Sequence, residues 1–502
     1  MTNILEYLEK TAKRLPEKAA FCDEQEQLTL SEVLDRSQRI GSYLASEGLS
    51  HQPVVVYMHK SPSMLTAFFG VIYAGCYYVP IDDEMPLHRI QLIFDTLKPG
   101  AVVCGEDEAA KLEAYQLDAR VYLYSEAVSA AVNEEALARV RSAALDIDPI
   151  YIVYTSGSTG VPKGIIACHR SVIDYAETLT EVLRANETSV FGMQAPLYVD
   201  ACLKEILSTI RCGATTWMIP KGHFSFPMKL VEYLNLRKIN TVCWVVPALT
   251  LISSLGTFQK LVPEYLTTIA FGSEVFPIKQ FRLWKEYVPN ARYINLYGPT
   301  ECSGMSCYYE VDRDFAPDEV IPIGKPFRNT QILLLNDKNE LAAAGEPGEI
   351  CIRGTSVTLG YYRNPEKTAE CFVQNPLNDL YPEIIYRTGD LGRYNERGEL
   401  CFISRKDYQI KHMGHRIELG EIEMAAAMTE GIETACCLFD QEKKKIILFY
   451  TGAADPAAAS KALRARLPRY MMPSVTRQLE RFPLTPNGKT DRLALKALYE
   501  AT

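Results

Sequence analysis

Residues 154–164, YTSGSTGVPKG, concentrate the groups needed to hold an anion. Gly157, Gly160 and Gly164 let backbone amides turn inward toward a charged oxygen, Thr155, Ser156, Ser158 and Thr159 add hydroxyl donors, and Lys163 adds a positive charge. This composition suits a phosphate cradle. It differs from the Walker loop, because Pro162 stands before Lys163 and no hydroxyl follows it. Next is NLYGPTE at 295–301, where the face of Tyr297 beside the Gly298 turn can stack on a nucleobase and Glu301 can hold Mg2+ against phosphates. In YRTGD at 386–390, Asp390 follows a glycine turn and can accept both hydroxyls of a ribose. In PNGKTDR at 486–492 a turn presents Lys489. Taken singly, the last three also read as a plain turn, a solvated aspartate and a solvated lysine.

These clusters need elements to hold them in place. Between residues 50 and 300, β-rich runs (VVVYM at 54, AVVCG at 101, YIVYT at 151, TVCWVV at 241, TTIAFG at 267) alternate with segments of three-to-four apolar spacing. SMLTAFFGVIYAG, RSVIDYAETLTEVLRA and KQFRLWKEYV are such amphipathic helices. The alternation predicts parallel sheets covered by helices. From about 330 to 403, short strands broken by Gly and Asn turns predict a smaller antiparallel unit. The last hundred residues read as a separate small α+β domain, with the boundary in SRKDYQIKHMGHR at 404–416.

The fold class is therefore α/β: a core over residues 1–403 of two α/β lobes and a small β-barrel-like unit, then a mobile α+β domain over 404–502. At about 150 residues per domain, 502 residues allow roughly three such bodies. With 47% hydrophobic and 23% charged residues the chain is neither disordered nor fibrous. Its net charge of −9, without a lysine-arginine block, argues against a nucleic-acid surface. The fourteen cysteines form no CxxC pair, which predicts reduced thiols in a cytoplasmic protein rather than disulfides or a zinc site. The N-terminal residues lack the apolar core of a signal peptide, and no window of eighteen apolar residues predicts a membrane span.

The segments together, in order and spacing, resemble the adenylate-forming superfamily, which includes acyl-CoA synthetases, firefly luciferase and the amino-acid adenylation domains of nonribosomal peptide synthetases. The resemblance covers nearly the whole chain. It runs through LTLSEVLDRS at 28, YAGCYYVPIDDEMPLHRI at 73, YTSGSTGVPKG at 154, NLYGPTE at 295, GEICIRGTSVTLGYYRNPEKT at 348, YRTGDLGRY at 386, SRKDYQIKHMGHRIELGEIE at 404, LPRYMMPS at 467 and PLTPNGKTDR at 483. The forms AGCYYVPID, QIKHMGHRIELGEIE and NGKTDR are most similar to amino-acid adenylation domains and D-alanine to carrier-protein ligases.

The resemblance implies a two-step reaction with ATP and Mg2+. A substrate carboxylate attacks the α-phosphate and releases pyrophosphate, and a phosphopantetheine thiol then displaces AMP from the acyl-adenylate. By motif, Thr155, Ser156, Gly157, Ser158, Thr159, Gly160 and Lys163 would handle the departing phosphates, and Asn295, Tyr297 and Gly298 would frame adenine. Thr300 would meet the α-phosphate, Glu301 the metal, Asp390 and Arg405 the ribose, while Lys489 would bridge substrate carboxylate and ATP. The hinge maps to Asp407; Ser404 replaces the glycine usual before Arg405, which would cost energy if the position needed positive φ.

Asp200 matches the family aspartate that pairs with an α-ammonium group, which favours an amino acid over an aryl acid. Counting along the matching segments lines the pocket with Asp200, Ala201, Lys204, Trp244, Ala270, Gly272, Leu296, Gly304 and Met305. Lys204 could meet a substrate carboxylate, as in pockets that take glutamate, or pair with Asp200 one helical turn away. Both readings stand open. No phosphopantetheine attachment site is present, so the expected partner is a separate carrier protein, with Arg464, Arg466 and Arg469 as a candidate docking patch on a monomer. A CoA or aryl-acid ligase of the same fold is the alternative.

Overall fold

The computed structural model describes residues 1–157, 160–406, 409–483 and 490–500, so Ser158, Thr159, Asp407 and Lys489 lie outside the described residues. The chain packs as two compact units. Unit one comprises residues 1–83, 97–153 and 164–406, and unit two comprises residues 84–96, 154–163 and 407–502. The chain thus passes between units after Lys406, and two short early segments pack with the C-terminal residues, which periodicity could not show.

In unit one the continuous apolar runs become strands buried on both faces, as parallel strands between helical layers must be. A six-stranded sheet has the order Arg120–Leu123, Ala101–Cys104, Pro53–Met58, Tyr77–Asp82, Pro149–Thr155, Lys163–Cys168. Helix Pro62–Tyr73 starts from Ser61, whose side chain accepts from the Met64 amide, and from a proline at its first turn. Nearly every residue of that helix is buried, because it is covered on all sides.

The second sheet has nine strands, with parallel neighbours Arg292–Tyr297, Thr268–Gly272, Thr241–Val245, Val190–Met193, Thr215–Met218 and Ala19–Cys22 at its centre. Antiparallel strands close both edges. Residues 330–405 form a five-stranded antiparallel sheet around the long strand Ile384–Tyr394, one edge of which pairs Gly348–Gly354 while the other is shared by Phe372–Gln374 and Leu400–Arg405. Ser404 lies within strand Leu400–Arg405 and is not among the residues of positive φ. The strain expected of a serine there is absent.

In unit two a hairpin pairs Gln409–His412 with His415–Glu418 through a turn in which Met413 (φ 51°) and Gly414 (φ 80°) are both left-handed. Helix Leu419–Ala427 follows directly and buries Ile422, Ala425 and Ala426 against a three-stranded sheet of Thr434–Asp440, Lys445–Thr451 and Val475–Gln478.

Candidate functional site

The carboxylate of Asp390, 2% exposed, sits on strand Ile384–Tyr394 of unit one. Its Oδ1 accepts from Arg405 Nη1 at 2.5 Å across the strand pair, and its Oδ2 accepts from the Tyr297 hydroxyl at 2.6 Å. Each oxygen keeps a lone pair after these bonds, so the carboxylate can still accept from two further hydroxyls. Burial, and then the Asp390 charge, push the Tyr297 phenol well above its ordinary value, so it remains a donor. Structure therefore brings Tyr297, Asp390 and Arg405 together. Asn295 is built differently: its amide donates to the carbonyls of Ile321 and Pro322 at 3.3 and 2.8 Å, so its donors brace the turn beneath Tyr297. Gly298 is required by close approach, because a Cβ there would lie 2.1 Å from the Gly304 carbonyl oxygen.

After that turn, Thr300–Cys302 forms one 3-10 turn that fixes Glu301, fully buried, with the Tyr361 hydroxyl donating to its Oε1 at 2.7 Å. Thr300 hydrogen-bonds Asp200, and Glu301 is near enough to raise the Asp200 carboxyl further after burial has raised it. The buried Glu301 carboxylate would suit Mg2+, which is held by one or two carboxylates together with phosphate oxygens. Among the described residues no group of three or more His, Cys, Asp or Glu could hold an ion alone.

Asp200 opens a 3-10 turn that continues as helix Leu203–Cys212, and its side chain is partly accessible. Around it are buried hydroxyls without partners: Tyr151 and Tyr175, both close enough to feel the Asp200 charge. The Tyr175 ring stands over Gly304, where a Cβ would come within 3.2 Å of it. Lys204 is 5% exposed and donates to the Ala201 carbonyl at 2.8 Å. It makes no ion pair within 4 Å among the described residues, although its charge acts on both Asp200 and Glu205. Glu205 is fully buried, and its carboxylate oxygens make no hydrogen bond to another residue. Burial pushes its carboxyl up to about 7 against the opposing charges of Lys204 and Lys60.

Strand register corrects one pocket residue. Successive side chains alternate faces, and Cys243, not Trp244, pairs with Ala270. Cys243 accordingly shares a core with Ala270, Leu203, Leu296, Met305 and Tyr175. Trp244 points to the opposite face, into the core of Phe271 and Tyr293, where its indole N–H donates to the Gly192 carbonyl at 2.7 Å and Phe224 packs edge-on. The indole therefore cannot narrow a pocket on the Ala270 side. Gly272 lies against strand Arg292–Tyr297, with a Cβ position 2.4 Å from the Leu296 carbonyl oxygen. Sequence counting also passed over Lys60, Tyr151, Tyr175, Glu205 and Tyr361. For none of these was there a local signal in the sequence, and Cys243 is distinguished from Trp244 only by its pairing with Ala270.

The glycine-rich loop is a structure of unit two. Ser156 Oγ donates to the Arg416 carbonyl at 2.7 Å and accepts from the Glu418 amide at 3.2 Å, while Lys163 Nζ donates to Glu418 Oε1 at 3.3 Å. Gly157 permits a tight reversal: a Cβ would lie 2.0 Å from the Val161 carbonyl oxygen. Thr155 Oγ1 is buried with no hydrogen-bond partner, and Gly160 adopts φ +77°. Arg464 and Arg469 are exposed, and Arg466 is partly buried with one donor on Thr429 Oγ1 at 3.4 Å.

Surfactin synthase subunit 1 of Bacillus subtilis (strain 168) is 31% identical over 99% of this chain and 14% of its own length. The chain spans less than half the length of this and similar synthases. D-alanine--D-alanyl carrier protein ligase of Bacillus licheniformis is 29% identical over 98% of this chain and 99% of its own length. The structure of a Vibrio cholerae adenylation domain, AlmE, in complex with glycyl-adenosine-5'-phosphate superposes with a TM-score of 0.84 at 19% identity, covering 100% of this chain and 98% of that one, which establishes the fold. No helix among the described residues is long and apolar enough to cross a membrane. The AMP-binding enzyme family matches residues 8–362, and the chain belongs to that family.

Proposed function

We propose that this protein is an AMP-forming acid–thiol ligase that activates an amino acid with ATP and passes it to the phosphopantetheine thiol of a carrier protein. The observation that carries the reading is Asp200: a partly accessible carboxylate whose charge acts on the buried, unpartnered hydroxyls of Tyr151 and Tyr175. Burial makes its charge costly, and the Lys204 charge and the Thr300 hydrogen bond offset that cost only in part, since its carboxyl stays raised. A substrate α-ammonium group would supply the missing partner. An aryl acid has none, so it would leave the Asp200 carboxylate without an ionic partner, and the same argument disfavours a simple acyl-CoA ligase.

In this reading the substrate carboxylate attacks the α-phosphate and pyrophosphate departs, a reaction driven by positioning and charge neutralisation rather than by a protein nucleophile. Asp390 accepts from the ribose hydroxyls, Tyr297 lies against adenine, Thr300 meets the α-phosphate and Lys163 the departing phosphates. Lys489 bridges carboxylate and ATP in the first step, and rotation about Asp407 withdraws it in the second. Glu301 would hold Mg2+, which when bound would supply positive charge to the phosphates. Arg464, Arg466 and Arg469 offer positive charge to an acidic carrier. The two free donor positions of Lys204 fit an acceptor on the substrate side chain, so an acidic or small polar amino acid is the expected class.

Amino-acid-dependent pyrophosphate exchange, measured over L-, D- and β-amino acids and aryl acids, tests this. Exchange with an acidic or small amino acid is expected, and exchange with aryl acids alone would refute the reading. Lys204→Ala should weaken an acidic amino acid more than a neutral one. Transfer to a carrier bearing phosphopantetheine, but not to CoA, is expected in the second step.

A further inference from the structure

Two donors of the glycine-rich loop, the Lys163 ammonium and the Gly157 amide, are engaged by carboxylates. Lys163 pairs with Glu418, with side chains 9% and 12% exposed, and Glu418 Oε1 also accepts from Gln409 Nε2 at 2.6 Å. The Gln409 carbonyl in turn accepts from Arg416 Nε at 2.5 Å, which fixes the hairpin register beside the loop. One turn further along, Glu421 is nearly fully buried and ion-paired with Arg89 of helix Leu87–Leu97. Burial raises the Glu421 carboxyl, and Arg89 and the Gly157 amide act to lower it. One Glu421 oxygen, Oε2, makes no hydrogen bond. All these residues belong to unit two.

A lysine ammonium and an inward glycine amide in a loop of this kind are donors for a phosphate chain. A carboxylate offers the same donors the same thing: a fixed anionic oxygen. Both anions cannot be accommodated, because like charges at contact distance in a partly desolvated site repel strongly. We propose that Glu418 and Glu421 are phosphate surrogates, positioning residues that hold the loop when β- and γ-phosphates are absent and are displaced when they bind. Occupancy of the loop would then decide whether the segment 409–427 is docked on it, linking pyrophosphate departure to placement of the residues after Asp407. The inference rests on the loop being the site of the β- and γ-phosphates.

Titration calorimetry with Mg2+ and α,β-methylene-ATP, pyrophosphate or AMP tests it on the full chain. AMP lacks the phosphates in question and is the internal control. In Glu418→Gln the Kd for α,β-methylene-ATP and pyrophosphate should fall about fivefold, the worth of one partly buried ion pair released. The Kd for AMP should stay within about twofold. In a Lys163→Ala background, Glu418→Gln should no longer tighten either ligand. Unchanged affinity for both phosphate ligands in Glu418→Gln, or an equal change for AMP, would overturn the proposal. A wild-type chain that binds AMP but neither longer ligand more tightly would instead refute the loop assignment on which it rests. Glu421→Gln gives a second reading in the same direction, with thermal melting to show that loss of the Arg89–Glu421 ion pair has not unfolded unit two.

Discussion

Replacing Asp390 by asparagine should abolish most recognition of the ribose while leaving the fold in place. The carboxylate spends one lone pair of Oδ1 on Arg405 and one of Oδ2 on Tyr297, and has one on each oxygen left for a ligand. In the variant, the amide oxygen must face Arg405, because an N–H there would meet a donor. The amide nitrogen then faces Tyr297, whose hydroxyl can rotate to accept. The internal network survives with one bond reversed, but both ribose contacts lose their charge and one loses its acceptor. Hydrogen bonds to a charged group contribute about 1.5 kcal/mol or more each, so the two together are worth about 3 kcal/mol, or roughly 150-fold in Kd. The assay is AMP titration at fixed salt, with 2'-deoxy- and 3'-deoxy-AMP as a second axis. Wild type should lose about tenfold for each deoxy ligand, and the variant much less. AMP binding within about threefold of wild type, or equal deoxy penalties in both chains, would refute the role given to Asp390.

Lys489→Ala should eliminate amino-acid-dependent pyrophosphate exchange yet spare thioester formation from preformed aminoacyl-adenylate; full exchange activity would contradict the role assigned to that lysine. Cys243→Leu should shift amino-acid preference toward smaller side chains, while Trp244→Phe should lower the melting temperature without changing preference, since the indole lies on the other face of the sheet. Preference that follows Trp244 instead would reverse the register argument. For Glu205, the folded carboxyl titrates near about 7 against an ordinary value of 4.5, so the folded state holds a proton that the unfolded state has released. Its stabilising contribution is therefore present at the acid end and lost as pH rises through that window. The stability of wild type relative to Glu205→Gln should decline between about pH 4.5 and 7 in urea melts, and parallel pH profiles would show that Glu205 does not titrate there.

The parts of this molecule that could be read from sequence are those whose signal is local. Strands such as Pro53–Met58 and Pro149–Thr155 announce themselves because burial on both faces makes them continuously apolar, and YGPTE and YRTGD carry turn and charge within a few residues. The same continuity explains the misplaced pocket residue. In TVCWVV no polar side chain marks either face, so a count along the chain cannot tell Cys243 from Trp244, and only pairing with Ala270 can. Pairings across long separations were equally silent: Tyr297 with Asp390, 93 residues apart, and Lys163 with Glu418, 255 apart. Those are also the contacts that convert a list of suitable residues into a chemical arrangement. A glycine-rich loop read alone promises an anion, but only its partners reveal Glu418 and Glu421 against its lysine and glycine amide, and on the reading proposed above a phosphate chain would bind there by exchange of anions rather than by filling a waiting site.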